Sequence, residues 1–191
     1  MTDDTETTDG RRRRSQDSRA RIVKAMLDLT AAGQVSVSAE SVADAARVGL
    51  RTVFRHFRDM DSLYREMSLA IEVEVRGLQR PFRSSDWREQ VMEMIDLRAA
   101  VFEKITPFKV AESAHRHRSR FLEGDGQKLT LALREIMRSV LPAAVAQDGL
   151  TFEALDMVMS FEAWQRLRRE QGLSVEAART LVGRMAKKLI G

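Results

Sequence analysis

One stretch constrains the fold of this chain more than any other. From Ser38 to Phe57 it reads Ser-Ala-Glu-Ser-Val-Ala-Asp-Ala-Ala-Arg-Val-Gly-Leu-Arg-Thr-Val-Phe-Arg-His-Phe. Val42, Ala45 and Ala46 recur at spacings of three and four, the period of one helix face. Ser38 stands where a helix N-cap stands, with Ser41 three residues on. Small residues at Ala43 and Ala46 allow another helix to approach closely. Beyond Arg47, Val48 and Gly49, a second helical face carries Val53 and Phe57, while Arg51, Thr52 and Arg55 point outwards. Two short helices meeting at a tight turn cannot bury their apolar sides alone, so a third must cover them.

Such a helix-turn-helix is the unit whose second helix enters a DNA major groove. The alternative is an ordinary helical hairpin with a solvated basic face. A solvated face usually mixes signs. This one carries arginines, a threonine, a histidine and an aromatic, with no carboxylate before Asp59. Charge distribution points the same way. Residues 1–10 hold four acids and no base, residues 11–60 hold eleven Lys or Arg against five Asp or Glu, and residues 61–191 hold twenty-one against nineteen. The excess positive charge therefore gathers around this stretch, where a polyanion would bind.

Gly and Pro are sparse, at 10 and 3, and strand-rich runs of Val, Ile, Thr and Tyr are missing, so the fold class is expected to be all-α. With 43% hydrophobic residues the chain can bury a sizeable core. Cys is absent, which excludes disulfides and thiolate metal sites. The acidic N-terminus lacks the apolar region of a secretory signal, and no run reaches the roughly 20 apolar residues that span a bilayer. No membrane association and a cytoplasmic location are expected.

In chain order, residues 1–14 are expected to be a disordered acidic segment followed by an arginine-rich arm, Arg11 to Arg14. That arm would either lie along DNA or remain a loose tail. A first helix is expected from near Asp17 or Ser18 to Ala32, with Ile22, Ala25, Met26 and Leu29 on its buried face and Gly33 as its stop. The helix-turn-helix domain would cover 15–60. Residues 61–191 would form a helical bundle, beginning with a helix from Asp61 to about Arg80 and continuing through segments near 86–105, 107–117, 119–141, 151–171 and 174–190.

Arg21-Ile22, Ala25, Leu27 and Gly33, then Ser38, Val42-Ala43, Ala46, Val48, Thr52-Val53-Phe54 and His56-Phe57, and finally Leu63, resemble the N-terminal domain of the TetR/AcrR family of transcriptional regulators. The spacing agrees without a gap over about the first third of the chain. Two positions depart from the family pattern. Arg47 stands where Gly is usual, and Met60 stands where a phosphate-contacting Lys is frequent, with Arg58 nearby to take over that contact. The resemblance implies a homodimeric regulator, usually a repressor. It would bind a palindromic double-stranded DNA operator and be released by a small-molecule effector of unknown identity held in the C-terminal bundle.

The expected DNA contacts are Ser38, Gly49, Leu50, Arg51, Thr52, Phe54, Arg55 and His56. Arg51 and Arg55, one turn apart, are the candidate guanine readers, because a guanidinium bonds guanine O6 and N7 together. Thr52 would touch a thymine methyl or a phosphate, and Ser38 at a helix N-terminus would take a phosphate. The resemblance places Phe54 and His56 at backbone contacts, with Phe in place of the usual Tyr. It places Leu50 where a polar reader is common, and a leucine there would pack against a base methyl or a sugar.

The body is less legible. Phe102, Phe108, His115, Met157, Phe161 and Trp164 are candidate ligand-pocket residues, although aromatics and methionines at this spacing also fill plain cores. Phe152, Leu155, Met159 and Ala163 form one stripe, and Met157, Phe161 and Trp164 another. Two stripes call for burial on two sides. Leu155, Met159, Ala163, Leu181 and Met185 are therefore candidate dimer contacts, and the resemblance implies a four-helix interface there. A helix wholly enclosed in a monomer would show the same pattern. No catalytic motif is present, so no enzyme and no cofactor are expected. His115 and His117 point to different sides of a helix and stand among arginines, so no metal site is expected either. Two further classes stay open: an architectural DNA-binding protein without effector, and a scaffold that no longer binds DNA.

Overall fold

The computed structural model describes the backbone of residues 4–78, 80–116 and 123–191, and the side chains of 12–78, 80–114 and 128–191. Among these residues the fold is all-α, with no strand. The chain divides into two compact units, one of residues 1–73 with 107–122, the other of residues 74–106 with 123–191.

In the first unit, α1 (Asp4–Ala31) packs on α2 (Ala39–Ala46) and α3 (Leu50–His56), and α4 (Met60–Leu78) contributes its residues up to Val73. Ile22, Ala25 and Met26 of α1, Val42, Ala43 and Ala46 of α2, Val53 of α3, and Leu63, Tyr64 and Met67 of α4 are all buried. Each fully buried Val, Ile, Leu or Met among them contributes roughly 1.5–3 kcal/mol relative to exposure. α1 ends in a Schellman turn at Gly33, φ 93°, where the N–H of Gly33 reaches Thr30 O and that of Gln34 reaches Leu29 O. α4 starts on a reciprocal cap, in which Asp59 Oδ1 accepts from Ser62 N at 2.8 Å and Ser62 Oγ accepts from Asp59 N at 3.3 Å.

The start of α1 differs from expectation. The backbone is helical from Asp4, not from near Asp17, so residues 4–14, expected as part of a disordered arm, carry a helical extension, and residues 1–3 lie outside the described residues. Arg, Glu and Gln are good helix formers, and acids in the first turn complement the helix dipole. Extending a helix already nucleated by packing over 17–31 costs little. Arg12, Arg13 and Arg14 are exposed on this extension, and the side chain of Arg11 lies outside the described residues.

The division of the chain also differs, since the first unit runs beyond residue 60 to Val73 and includes a later segment from Pro107. Leu63, Tyr64 and Met67 explain the first extension, because their burial completes the core of that unit. The second is tied down by Ser68 Oγ, which donates to the buried Glu112 at 2.5 Å, while Lys109 Nζ bonds its other oxygen at 2.8 Å.

The helix α5 (Trp87–Arg116) passes through Pro107, where two segments were expected. Proline removes one intrahelical bond, but Phe102, Ile105, Phe108 and Ala111 are buried on either side of it and hold the helix.

The second unit contains the first part of α5, then α6 (Glu123–Val140), α7 (Ala143–Gln147), α8 (Gly149–Val158), α9 (Phe161–Gln165) and α10 (Val175–Ile190). Its core joins Val91, Met94, Met137, Phe152, Leu155, Val182 and Ala186, among others. The single helix expected over 151–171 is broken at Ser160, whose Oγ accepts from Ala163 N at 3.1 Å and caps a new helix. A wider π-type turn over Arg166–Glu170 follows. No helix among the described residues is long and apolar enough to cross a membrane.

Candidate nucleic-acid interface

The surface around α3 is built by two turns. Ser38 caps α2 from an extended backbone, its Oγ accepting from Ser41 N at 3.1 Å. At the other end of α2, Arg47 has φ 53° and ψ 50°, the left-handed conformation that glycine adopts without strain. Its N–H bonds Asp44 O at 3.1 Å, and the N–H of Val48 bonds Ala43 O at 3.0 Å, the paired bonds of a Schellman turn. The turn therefore forms around Arg47 in place of Gly. Gly49 follows with an extended backbone, φ −71°, as the residue preceding α3. A Cβ there would meet nothing, so the chain reversal rests on Arg47 and not on Gly49.

At roughly 100° per residue, α3 presents two exposed rows side by side. Leu50 and Phe54 form one, and Arg51 and Arg55 the other. All four are exposed, whereas Thr52 and His56 are half-buried and Val53 is buried. Ser38 and Gly49 are exposed as well. The structure thus brings Gly49, Leu50, Arg51, Phe54 and Arg55 onto one open face, with Thr52 and His56 at its edge. Arg47, Arg51, Arg55 and Arg58 form no ion pair with any described residue.

Beneath this face, Val53 and Phe57 are buried. The Arg19 guanidinium lies 4.9 Å from the Phe57 ring centroid and is gripped by both Glu66 oxygens at 2.7 and 2.8 Å. This clamp ties α1, α3 and α4 together. Residues 47 apart in sequence carry no local signal of pairing, so the clamp is not legible in the sequence. His56 Nε2 is buried with no hydrogen-bond partner among the described residues. Burial, then the charges of Arg55 and Arg19, lower the pKa of its imidazole below the ordinary value.

In the second unit, Phe102, Phe161 and Trp164 come together, with centroids 5.4 Å apart for Phe102–Phe161 and 6.3 Å for Phe102–Trp164. They pack as core. The space beside Phe102 and Trp164 is about 10 Å³, enough for one water at most. Met157 is 66% exposed and does not line that space. Its side of α8 faces away from the buried Leu155 and Val158. Phe108 belongs to the first unit, and the His115 side chain lies outside the described residues. A cleft of about 200 Å³ lined by Arg80, Phe82, Arg83, Glu93, Asp96 and Leu97 carries no signature in the sequence.

The dimer candidates divide. Leu155 and Met159 are buried in the core of their own unit, so they are not free to meet a partner. Ala163 and Leu181 are half-buried and Met185 is exposed. The open apolar side of α8 is instead Leu150, Ala154 and Met157, of which Leu150 is 86% exposed.

Arg98 gave no sign of its role in the sequence. It is 4% exposed, and its two terminal nitrogens donate to Met159 O at 3.0 Å and Leu133 O at 2.6 Å. Burial pushes its pKa down to about 10, against a smaller opposing effect of Asp156, so it remains cationic at neutral pH. Glu103 accepts from Trp164 Nε1 at 2.8 Å and from Arg168 Nε at 2.8 Å. These bonds, chiefly that with Arg168, hold its carboxyl below the usual range.

No protein-family model, no curated protein and no solved structure matches the chain.

Proposed function

We propose that the chain is a DNA-binding transcriptional regulator of the TetR type, with α2 and α3 as its helix-turn-helix. One observation carries this reading: the row of Arg51 and Arg55, exposed and without a carboxylate partner among the described residues, on a helix anchored from below by Val53 and Phe57. Guanidinium groups left free in this way are suited to guanine edges and phosphates. The scaffold reading rests on Arg47 and Met60; the Schellman turn formed around Arg47 supports the DNA-binding reading beside it. Ser38, Gly49 and His56 would meet the DNA backbone at the edges of the face.

The protein would act as a homodimer through its second unit, with Leu150, Ala154 and Met157 of α8 and Leu181 and Met185 of α10 as contacts. Two copies of α3 would then enter major grooves at half-sites about 34–36 Å apart or a multiple of it. An effector would release DNA only by binding one state better than the other. The open cleft at Arg80–Leu97 offers it more room than the aromatic cluster. A second reading, an architectural DNA-binding protein with no effector, is favoured by the close packing of Phe102 and Trp164.

Selection from random duplex DNA by the purified protein tests the reading. A palindromic consensus, protected as a dimer footprint, is expected. Recovery of unselected sequence, with affinity governed by salt alone, would remove it.

A further inference from the structure

Resting on the reading of α3 as a DNA-reading helix, we propose that Leu50 and Phe54 form a reader for the C5-methyl group of pyrimidines in the major groove. Leu50 is 39% exposed and Phe54 48% exposed, although a leucine and a phenylalanine are among the residues most often buried. They stand one turn apart on one face, so they present a continuous apolar strip about one turn long. Beside that strip, at roughly 100° around the helix, runs the row of Arg51 and Arg55.

The neighbouring charge identifies the occupant. An apolar strip meant for a protein partner would be flanked by groups that such a surface can neutralise or leave in water. Here the flanking row is cationic and unpaired, and Arg47 and Arg58 lie before and after it without a carboxylate partner among the described residues. Among polyanions, duplex DNA displays apolar groups at the depth such side chains reach, and the thymine methyl in the major groove is that group. RNA lacks the methyl and closes its major groove to side chains.

Thr52, the other residue expected to touch a methyl, is half-buried at the edge of the open face, so the role falls to the Leu50–Phe54 strip. Arginine alone would prefer guanine. The two rows together would favour half-sites in which a guanine read by Arg51 or Arg55 has a thymine, or a 5-methylcytosine, close by. The absence of a phenolic hydroxyl on Phe54 fits this role, because a bare ring desolvates against a methyl without stranding a polar group.

The test uses the full-length protein and the duplex it selects, with thymines of one half-site replaced singly by deoxyuridine, which removes only the methyl. One position per half-site is expected to weaken binding about fourfold, the effect of exposing roughly one methylene's worth of apolar surface. Replacing that thymine by cytosine should weaken binding further, and 5-methylcytosine should recover about fourfold of the loss. The Leu50→Ala, Phe54→Ala variant alters only exposed side chains, and its helix content and melting temperature are measured alongside. It is expected to bind thymine and uracil duplexes equally. Specific binding with no response to deoxyuridine at any position, or an equal response in the double variant, overturns the methyl reader and leaves the DNA reading standing. Failure to select any duplex removes both. Retention of full operator affinity by the double variant, with a protein partner released instead, also overturns it.

Discussion

The two units use arginine in opposite ways. In the second, Arg134 donates to both Glu153 and Asp156, Arg168 is held by Glu103 and the Leu173 carbonyl, Arg179 sits 3.4 Å from Asp96, and Arg98 is buried on two carbonyls. On α3, Arg51 and Arg55 touch no carboxylate among the described residues. A guanidinium locked on carboxylates has its field cancelled and its rotamer fixed. One left free keeps both its field and its freedom for a ligand. The near balance of 32 basic and 28 acidic residues therefore understates the contrast, because most of the neutralisation falls away from α3.

Removing arginines from each side tests this difference most severely. Arg51→Ala with Arg55→Ala is expected to abolish specific operator binding, at about 1–3 kcal/mol for each guanine no longer read. Unfolding free energy should change by less than about 0.5 kcal/mol, because both side chains are exposed and unpaired. Gel shift and urea unfolding on the same preparation check both halves. Loss of stability as large as the loss of affinity would place these side chains in the scaffold.

Arg98→Ala should do the reverse. It removes charge-assisted bonds to Met159 O, at the end of α8, and to Leu133 O, each worth about 1.5–3 kcal/mol, partly offset by relief of the buried charge. A net loss of roughly 3 kcal/mol in urea unfolding is expected. Arg98→Met, which keeps the volume and removes the charge, should lose less than half of that. Equal losses in the two variants would mean that the lost hydrogen bonds, and not the vacated volume, explain the position.

The contrast between units also marks what the sequence made legible. Local rules reached the caps and faces of α2 and α3, since Ser38, Val42, Val53 and Phe57 signal their roles within a turn or two. They reached the exposure of Arg51 and Arg55 for the same reason. They did not reach Arg98 or the Arg19–Glu66 clamp, whose partners lie tens of residues away. Nor did they find the break at Ser160, because the apolar period carries through it while one serine hydroxyl ends one helix and caps the next. The pocket and dimer expectations meet the same limit: periodicity finds a buried stripe but not what buries it. Leu155 and Met159 are covered by their own unit, and Met157 by nothing described.

A smaller effect is expected at Arg47, where charge and conformation conflict. A non-glycine residue in the left-handed region costs about 1 kcal/mol, and glycine returns part of that through a freer unfolded chain. Arg47→Gly should therefore raise stability by about 0.5–1 kcal/mol. If Arg47 is retained for its charge beside DNA, the same variant should lose operator affinity, with a shallower salt dependence. Higher stability with unchanged affinity would separate Arg47 from the basic row.

The smallest effect belongs to His56, and its sign decides which side of the comparison the residue joins. Burial first, then Arg55 and Arg19, lower its pKa in the folded chain, whereas the unfolded chain takes up the proton near the ordinary value of about 6.5. Stability is then whole above about pH 6.5 and declines as the pH falls through the lower folded value. The imidazole is only half-buried, so the decline is small and is read as a difference from His56→Gln between about pH 7.5 and 5.5. Phosphates drawn to the neighbouring Arg55 act oppositely, because they favour the imidazolium. Operator affinity should accordingly rise on acidification in the native chain relative to His56→Gln. Opposite slopes for stability and affinity would assign His56 to the interface. A stability slope with no affinity slope would leave it as a core histidine, and superimposable stability profiles for the two chains would contradict the desolvation itself.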